Sequence, residues 1–197
     1  KGVGAFKNVV ISNIIASDES LMTSSITGVP GGFIENFIIR DVIFNCRGTA
    51  IEEEAWAPVP ERNSVGPDNR MFGYSLPAYG LYIRHVKNLQ LENFIFNLRN
   101  PDARPAIVLD DCHGIRISNF SAANPIGDRA LLRIIQSANI TVSGYYSAGI
   151  TQKFLRAEGE KSSGIRLTGN DFSQVEKVLE FADGCSPDAV RQISNFE

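Results

Sequence analysis

Two neighbouring acids, Asp110 and Asp111, are the residues best suited by type and spacing to do chemistry. One carboxyl could deliver a proton while the other accepts one. A second set falls between residues 56 and 85: Trp56, Arg70, Tyr79, Tyr82, Arg84 and His85. It mixes flat aromatic faces with guanidinium groups, which bind carboxylates in a fixed fork geometry. A third group, Glu52, Glu53 and Glu54, has the acid density that a calcium site needs, yet reads first as a solvated charge run. The other residues have plainer readings too. Asp110 and Asp111 follow a short apolar run, where acids satisfy backbone N–H groups at a corner. His85, between Arg84 and Val86, reads as a corner hydrogen-bonder before it reads as a base. Tyr82 fits a core position as well as a binding one, Arg84 fits a solvated cation, and Trp56 fits an anchor for its own loop. Cys46, Cys112 and Cys185 are too few and too scattered for a disulfide framework and read as small buried apolar residues. With only His85 and His113 to join them at no paired spacing, no metal or other cofactor is expected.

The elements that must hold these residues announce themselves by repetition. A six-residue unit of turn residue, apolar, any, apolar, mostly polar and turn residue occurs six times: 8–13, 36–41, 88–93, 114–119, 139–144 and 164–169. Its apolar pairs are Val9/Ile11, Phe37/Ile39, Leu89/Leu91, Ile115/Ile117, Ile140/Val142 and Ile165/Leu167. Alternation with period two puts each pair on one face of a short strand. All twelve bracketing residues are Asn, Asp or Gly, the types that tolerate a left-handed corner. The units start 28, 52, 26, 25 and 25 residues apart. A repeat near 25, with one gap about twice that, is the mark of a solenoid whose units must stack to bury their apolar faces.

A second column of strands supports this, through Tyr82, Ile107, Leu132, Leu155 and Leu179. The expectation is an all-β fold, a right-handed parallel β-helix of about 25 residues per coil, with the hand taken from the rule for parallel crossovers. A leucine-rich repeat has a similar period but would want a Leu-rich consensus and a helical return. The stretch 173–182 is ambiguous: Ser173 and Glu176 match a capping box, while the solenoid register makes it a strand, and the register is preferred. Residues 186–197 read as a tail or a last partial coil. The one large interruption is 47–77, which holds the only Trp, the three consecutive acids and four prolines. A loop this long inside a compact domain is functional or disordered, and its aromatic and proline content favours an ordered one.

At 197 residues the chain suffices for a single domain, and 43% apolar content suits a packed core. A net charge of −3 with no Lys/Arg run argues against nucleic acid as a partner. No apolar run approaches the ~20 residues that span a bilayer, so no membrane partner is expected. The chain opens on Lys1-Gly2-Val3-Gly4 and enters a repeat at once. An open solenoid end presents unpaired strand edges, so upstream coils of the same parent chain are expected, with 1–197 as a single β-helix segment from its C-terminal part.

Three stretches, 25–31 (SITGVPG), 71–86 (MFGYSLPAYGLYIRHV) and 104–111 (RPAIVLDD), resemble the C-terminal coils of bacterial polygalacturonase-like proteins. These belong to glycoside hydrolase family 28. The resemblance runs in order over roughly residues 3–120, is most specific at 71–86, and elsewhere matches mainly in repeat rhythm. It implies a parallel β-helix, a polysaccharide or oligosaccharide substrate of the pectin type, metal-free inverting hydrolysis, and a secreted or periplasmic location. Two acids on neighbouring coils would then divide the acid and base roles. The family's signature is Asn-Thr-Asp, Asp-Asp, Gly-His-Gly and Arg-Ile-Lys. Asp110-Asp111-Cys112 resembles the second element. Around Asn88 the sequence reads Asn-Leu-Gln, around Leu132 it reads Leu-Arg-Ile without a histidine, and after Gly164-Ile165-Arg166-Leu167 stands Thr168 where the second cation belongs. The resemblance therefore implies catalytic motifs upstream of Lys1, no catalytic residue here unless Asp110 or Asp111 serves, and one end of a sugar groove. Tyr79, Arg84, His85, Trp56 and Arg70 would bind substrate there. A non-catalytic β-helical module that binds glycan or protein is the alternative. A calcium-dependent lyase is a third, with Glu52-Glu53-Glu54 as its only acid cluster.

Overall fold

A computed structural model describes residues 4–61, 72, 75–147 and 149–196. Its strands are β1 (Phe6–Ser17), β2 (Ser24–Thr27), β3 (Ile34–Cys46), β4 (Leu81–Leu98), β5 (Ile107–Ala122), β6 (Ala130–Ile135), β7 (Ala138–Tyr145), β8 (Thr151–Glu158), β9 (Ile165–Thr168), β10 (Val175–Ala182) and β11 (Val190–Ile193), with one short helix, α1 (Glu52–Ala55). Every pairing between these strands is parallel. The fold is a parallel β-helix.

The hexads stack as expected. Val9, Phe37, Leu89, Ile115 and Ile140 lie in one register across β1, β3, β4, β5 and β7, and Val142 and Leu167 continue it into β9. All twelve bracketing residues adopt the left-handed conformation, with φ from 52° to 70°. A seventh rung, β11, pairs with β9. It escapes the hexad pattern because a 3-10 turn (Pro187–Ala189) leads into it and Gln192 stands where the second apolar residue would. Residues 186–196 are thus a last partial coil. Residues 175–182 form strand β10, paired with β8, so solenoid register prevails over the capping-box signal. A row of aromatic rings runs through the interior, with Tyr145–Phe154 and Phe154–Phe172 centroids 4.7 and 4.8 Å apart. The three cysteines are free and buried. Burial pushes the Cys46 and Cys112 thiols up to about 12.

The second column needs a correction. It runs β2, β4, β5, β6, β8 and β10, with Ile107, Leu132, Leu155 and Leu179 in register. Leu81, rather than Tyr82, pairs with Ile107; Tyr82 pairs with Val108. A slip of one residue moves a side chain to the opposite face of a strand. The alternation was unreadable there because Leu81, Tyr82 and Ile83 are all buried. Tyr82 packs outside the solenoid core with Leu76, Ala78 and Val108, and Val59, Phe72 and Ile135 close over them.

That second cluster exists because Val59, Phe72 and Leu76 of the loop at 47–77 lie over the outer face of this column. The loop is pinned at its root by a fully buried ion pair. Asp102 accepts from Arg104 Nη2 at 2.9 Å, Nε at 3.0 Å and backbone N at 2.8 Å, and from Ala50 N at 3.1 Å. Arg104 Nη1 donates to Leu21 O, Thr23 Oγ1 and Leu76 O. Both ions are satisfied at nearly every lone pair and proton, the condition under which a buried pair is tolerated. The pair joins the 17–33 excursion, both ends of the loop and the 99–106 corner.

Candidate functional site

The end of the second strand column turns a corner at His85, Asp111 and Gln136, all at positive φ (52°, 50° and 48°). Parallel register places Arg84 directly beside Asp110, and Ile135 beside it on the next rung. The neighbours of Asp110-Asp111 are therefore Arg84-His85 before and Ile135-Gln136 after, and not the Asn88 and Leu132 stretches that the motif comparison paired with them. Four of the candidate residues, Arg84, His85, Asp110 and Asp111, thus meet at one spot although the two pairs are 26 positions apart.

The spot is built around one histidine. His85 is buried, with Nδ1 2.7 Å from Asp111 Oδ2 and Nε2 3.1 Å from Glu61 Oε1. Asp111 also approaches His113 Nε2, at 3.5 Å. Arg84 sits beside it, 14% exposed at its side chain. Its Nη2 pairs with Glu61, its Nη1 donates to Val59 O at 2.8 Å, and its Nε lies 3.2 Å from Asp110 Oδ2 without hydrogen-bond alignment. Tyr82 donates to the same Asp110 oxygen at 2.8 Å. Burial, and then the adjacent Asp110 charge, pushes the Tyr82 phenol above its ordinary range. The phenol therefore stays a donor.

Three carboxylates, one guanidinium, one phenol and two imidazoles thus close on each other. Glu61 and Val59 come from the long loop; the others come from two adjacent rungs. Chemically the cluster clamps the loop to the solenoid. A free general acid or base needs a carboxyl that can reach substrate, and here each carboxylate already accepts from a cation, ring nitrogen or phenol.

Trp56 lies elsewhere along the same face. Its indole covers three guanidinium groups, Arg129 just before β6, Arg133 on β6 and Arg156 on the next rung, β8, at 5.0, 4.6 and 4.8 Å. Contacts of this kind are worth about 0.5–1 kcal/mol each where exposed. Beneath the indole, Glu158 takes Arg133 through both oxygens at 2.6 and 2.8 Å, and Arg156 Nε at 2.8 Å. Arg156 and Lys153 also share Glu180. Trp56 is an anchor for its own loop that stays 37% exposed.

Tyr79 is a correction in physical terms. It is 1% exposed and its hydroxyl donates to Ala123 O at 2.6 Å, so it presents no face to a ligand. Arg70, and Met71, Gly73 and Tyr74 of the most specific resembling stretch, lie outside the described residues. Among the described residues, no group of three or more His, Cys, Asp or Glu is placed to hold a metal ion. The sequence reading missed Glu61, the Asp102–Arg104 pair and the Glu158 network. Counting the column from Leu81 would have revealed that Arg84-His85 underlies Asp110-Asp111. Nothing local marks Glu61 as their partner.

No protein-family model matches the sequence. No curated protein matches it significantly either. Among solved structures, the chain is similar to "a putative glycosyl hydrolase" from Parabacteroides merdae, at 13% identity and a TM-score of 0.46, over 99% of this chain and 85% of that one. A likeness at that level says nothing of chemistry.

Proposed function

We propose that this chain forms non-hydrolytic coils of a polygalacturonase-like glycoside hydrolase. The bond-cleaving acids of the whole protein would lie on preceding coils. The supporting observation is the commitment of every acid at the candidate site. Asp110 is tied to Arg84 and Tyr82, Asp111 to His85, and Glu61 to both Arg84 and His85. The repeat rhythm and the three resembling stretches support the family. In this reading the Arg84–His85 clamp holds the loop as a wall at one end of a sugar groove, and Trp56 faces the pectin-type substrate. The whole protein would act by inversion without metal, outside the cytoplasm.

Purified residues 1–197 incubated with polygalacturonate should release no reducing ends above a boiled control. Release that disappears in an Asp111→Asn variant would overturn the reading. A second reading, a β-helical module that only binds glycan or protein, is favoured by the partly exposed Trp56 indole on its bed of guanidinium groups. The coding sequence preceding Lys1 separates the two. Acidic hydrolase motifs in β-helical repeats support the first, and an unrelated domain supports the second.

A further inference from the structure

The hexad column of the solenoid carries a row of side chains that the clamp does not use. At the third position of four successive hexads stand Gln90, Arg116, Thr141 and Arg166, and Arg191 of β11 continues the row, each paired in register with the next. Their apolar neighbours, such as Leu89, Ile115, Ile140 and Ile165, are fully buried, so these five project outward by the alternation of the strand. The three arginines are exposed. With rungs about 4.8 Å apart, the row from Arg116 to Arg191 spans about 14 Å.

The charge in this row is unspent. Arg84, Arg104, Arg129, Arg133 and Arg156, on or just before strands of the other column, are all in ion pairs. Among the described residues, none of Arg116, Arg166 and Arg191 has a carboxylate within ion-pairing distance. Arg166 and Arg191 lie directly side by side, and like charges in that relation destabilise a sheet. Folding alone gives no reason for the arrangement; a bound anion would offset it. Gln90, Arg116, Thr141 and Arg166 line a shallow cleft of about 350 Å³. A parallel row of hydroxyls, Ser118, Ser143 and Thr168, flanks it in register. The row ends at Glu92, which stands beside Ser118 and would repel an anion.

We propose that this face binds a linear acidic polysaccharide lying along the solenoid axis. Guanidinium groups at Arg116, Arg166 and Arg191 take the carboxylate or sulfate groups of the sugars that face their rungs, through their fork geometry. Thr141 and the flanking hydroxyls take sugar hydroxyls between them. The spacing of the rungs is comparable with the repeat of a linked pyranose chain, so anions and cations stay in step over several rungs. A protein of net charge −3 with no aromatic side chain in this row lacks both the basic field and the stacking platform that nucleic acid requires.

Affinity electrophoresis of residues 1–197 through gels containing polygalacturonate, dextran sulfate or neutral dextran tests this. At least one anionic polymer should retard the protein, neutral dextran should not, and salt should weaken the effect. Whichever anionic polymer retards it more identifies the charged group, and either sustains the proposal. Replacing the three arginines by Gln should lower affinity by about tenfold or more, with the far-ultraviolet spectrum unchanged. Lys177→Gln, on the other strand column, should leave retardation as it is. Undiminished retardation of the triple variant, equal retardation by neutral dextran, or tighter binding of duplex DNA than of either polymer would overturn it. The outcome is independent of hydrolysis, because retardation reads binding and reducing-end release reads bond cleavage.

Discussion

Among single residues, Glu158 carries the largest electrostatic responsibility. Burial alone would raise its pKa, but the guanidinium groups of Arg133 and Arg156 outweigh burial and hold it below the ordinary carboxylate range. A carboxyl depressed in the folded state contributes stability above its unfolded pKa, about 4.3, and loses it as pH falls through the folded value. Stability should be level from neutral pH down to about 5 and should fall below about 4.3. Glu158→Gln leaves two guanidinium groups short of their carboxylate, and should cost on the order of 3 kcal/mol at pH 7. Its acid limb should be shallower than that of the parent, so that the two curves approach each other near pH 3. Urea midpoints across pH measure both, and parallel acid limbs would remove Glu158 from the account. Glu180 is depressed too, by Lys153 and Arg156 against its own burial, so the variant's limb flattens without vanishing.

The corner is the element that decides the fold, and a glycine there differs from one in an excursion. Gly144 has φ 64°, and a Cβ there would stand 2.5 Å from Asn119 Oδ1 of the preceding rung. Gly31, in a turn of the 17–33 excursion and outside the stacked corners, has φ 75° and open space around it. Gly31→Ala should cost about 1–2 kcal/mol of left-handed strain alone. Gly144→Ala should cost that and roughly 1–2 kcal/mol more for displacing a packed amide. Thermal unfolding of the two variants checks the ordering, and equal shifts would show that stacked corners relax freely. These corners were legible from sequence, because Asn, Asp and Gly bracket a period-two pair at every hexad. The other strand column was legible only to within one residue at Tyr82. There the loop buries the outer face, and period two disappears when both faces are apolar. The clamp was half legible. Asp110, Asp111, Arg84 and His85 could be named, but their meeting depends on the register, and Glu61 reaches them by a loop path that no local pattern encodes. Arg104 and Asp102 join segments up to 83 positions apart, with nothing in the intervening sequence to announce it.

For the whole molecule, each rung touches only its neighbours, so stability is distributed along the axis. The first rung, β1, pairs with β3 alone, and Phe6, Val10 and Ile15 on it are 57, 60 and 77% exposed. The rungs of β4 and β5 are enclosed on both sides and carry the loop clamp. Amide exchange of residues 1–197 should be fastest in β1 and slowest in β4 and β5, in a graded order between. Uniform protection would mean that the stack opens as one unit. The register has a further bearing on descent. Ile117, Val142 and Leu167 lie over one another at intervals of 25 residues. Duplication or loss of one such interval leaves every corner seated on a corner, whereas a one-residue deletion within a hexad turns the inside of that rung outward. Lineages carrying this architecture can change length in whole rungs, with odd-sized changes confined to the excursions at 17–33 and 47–77.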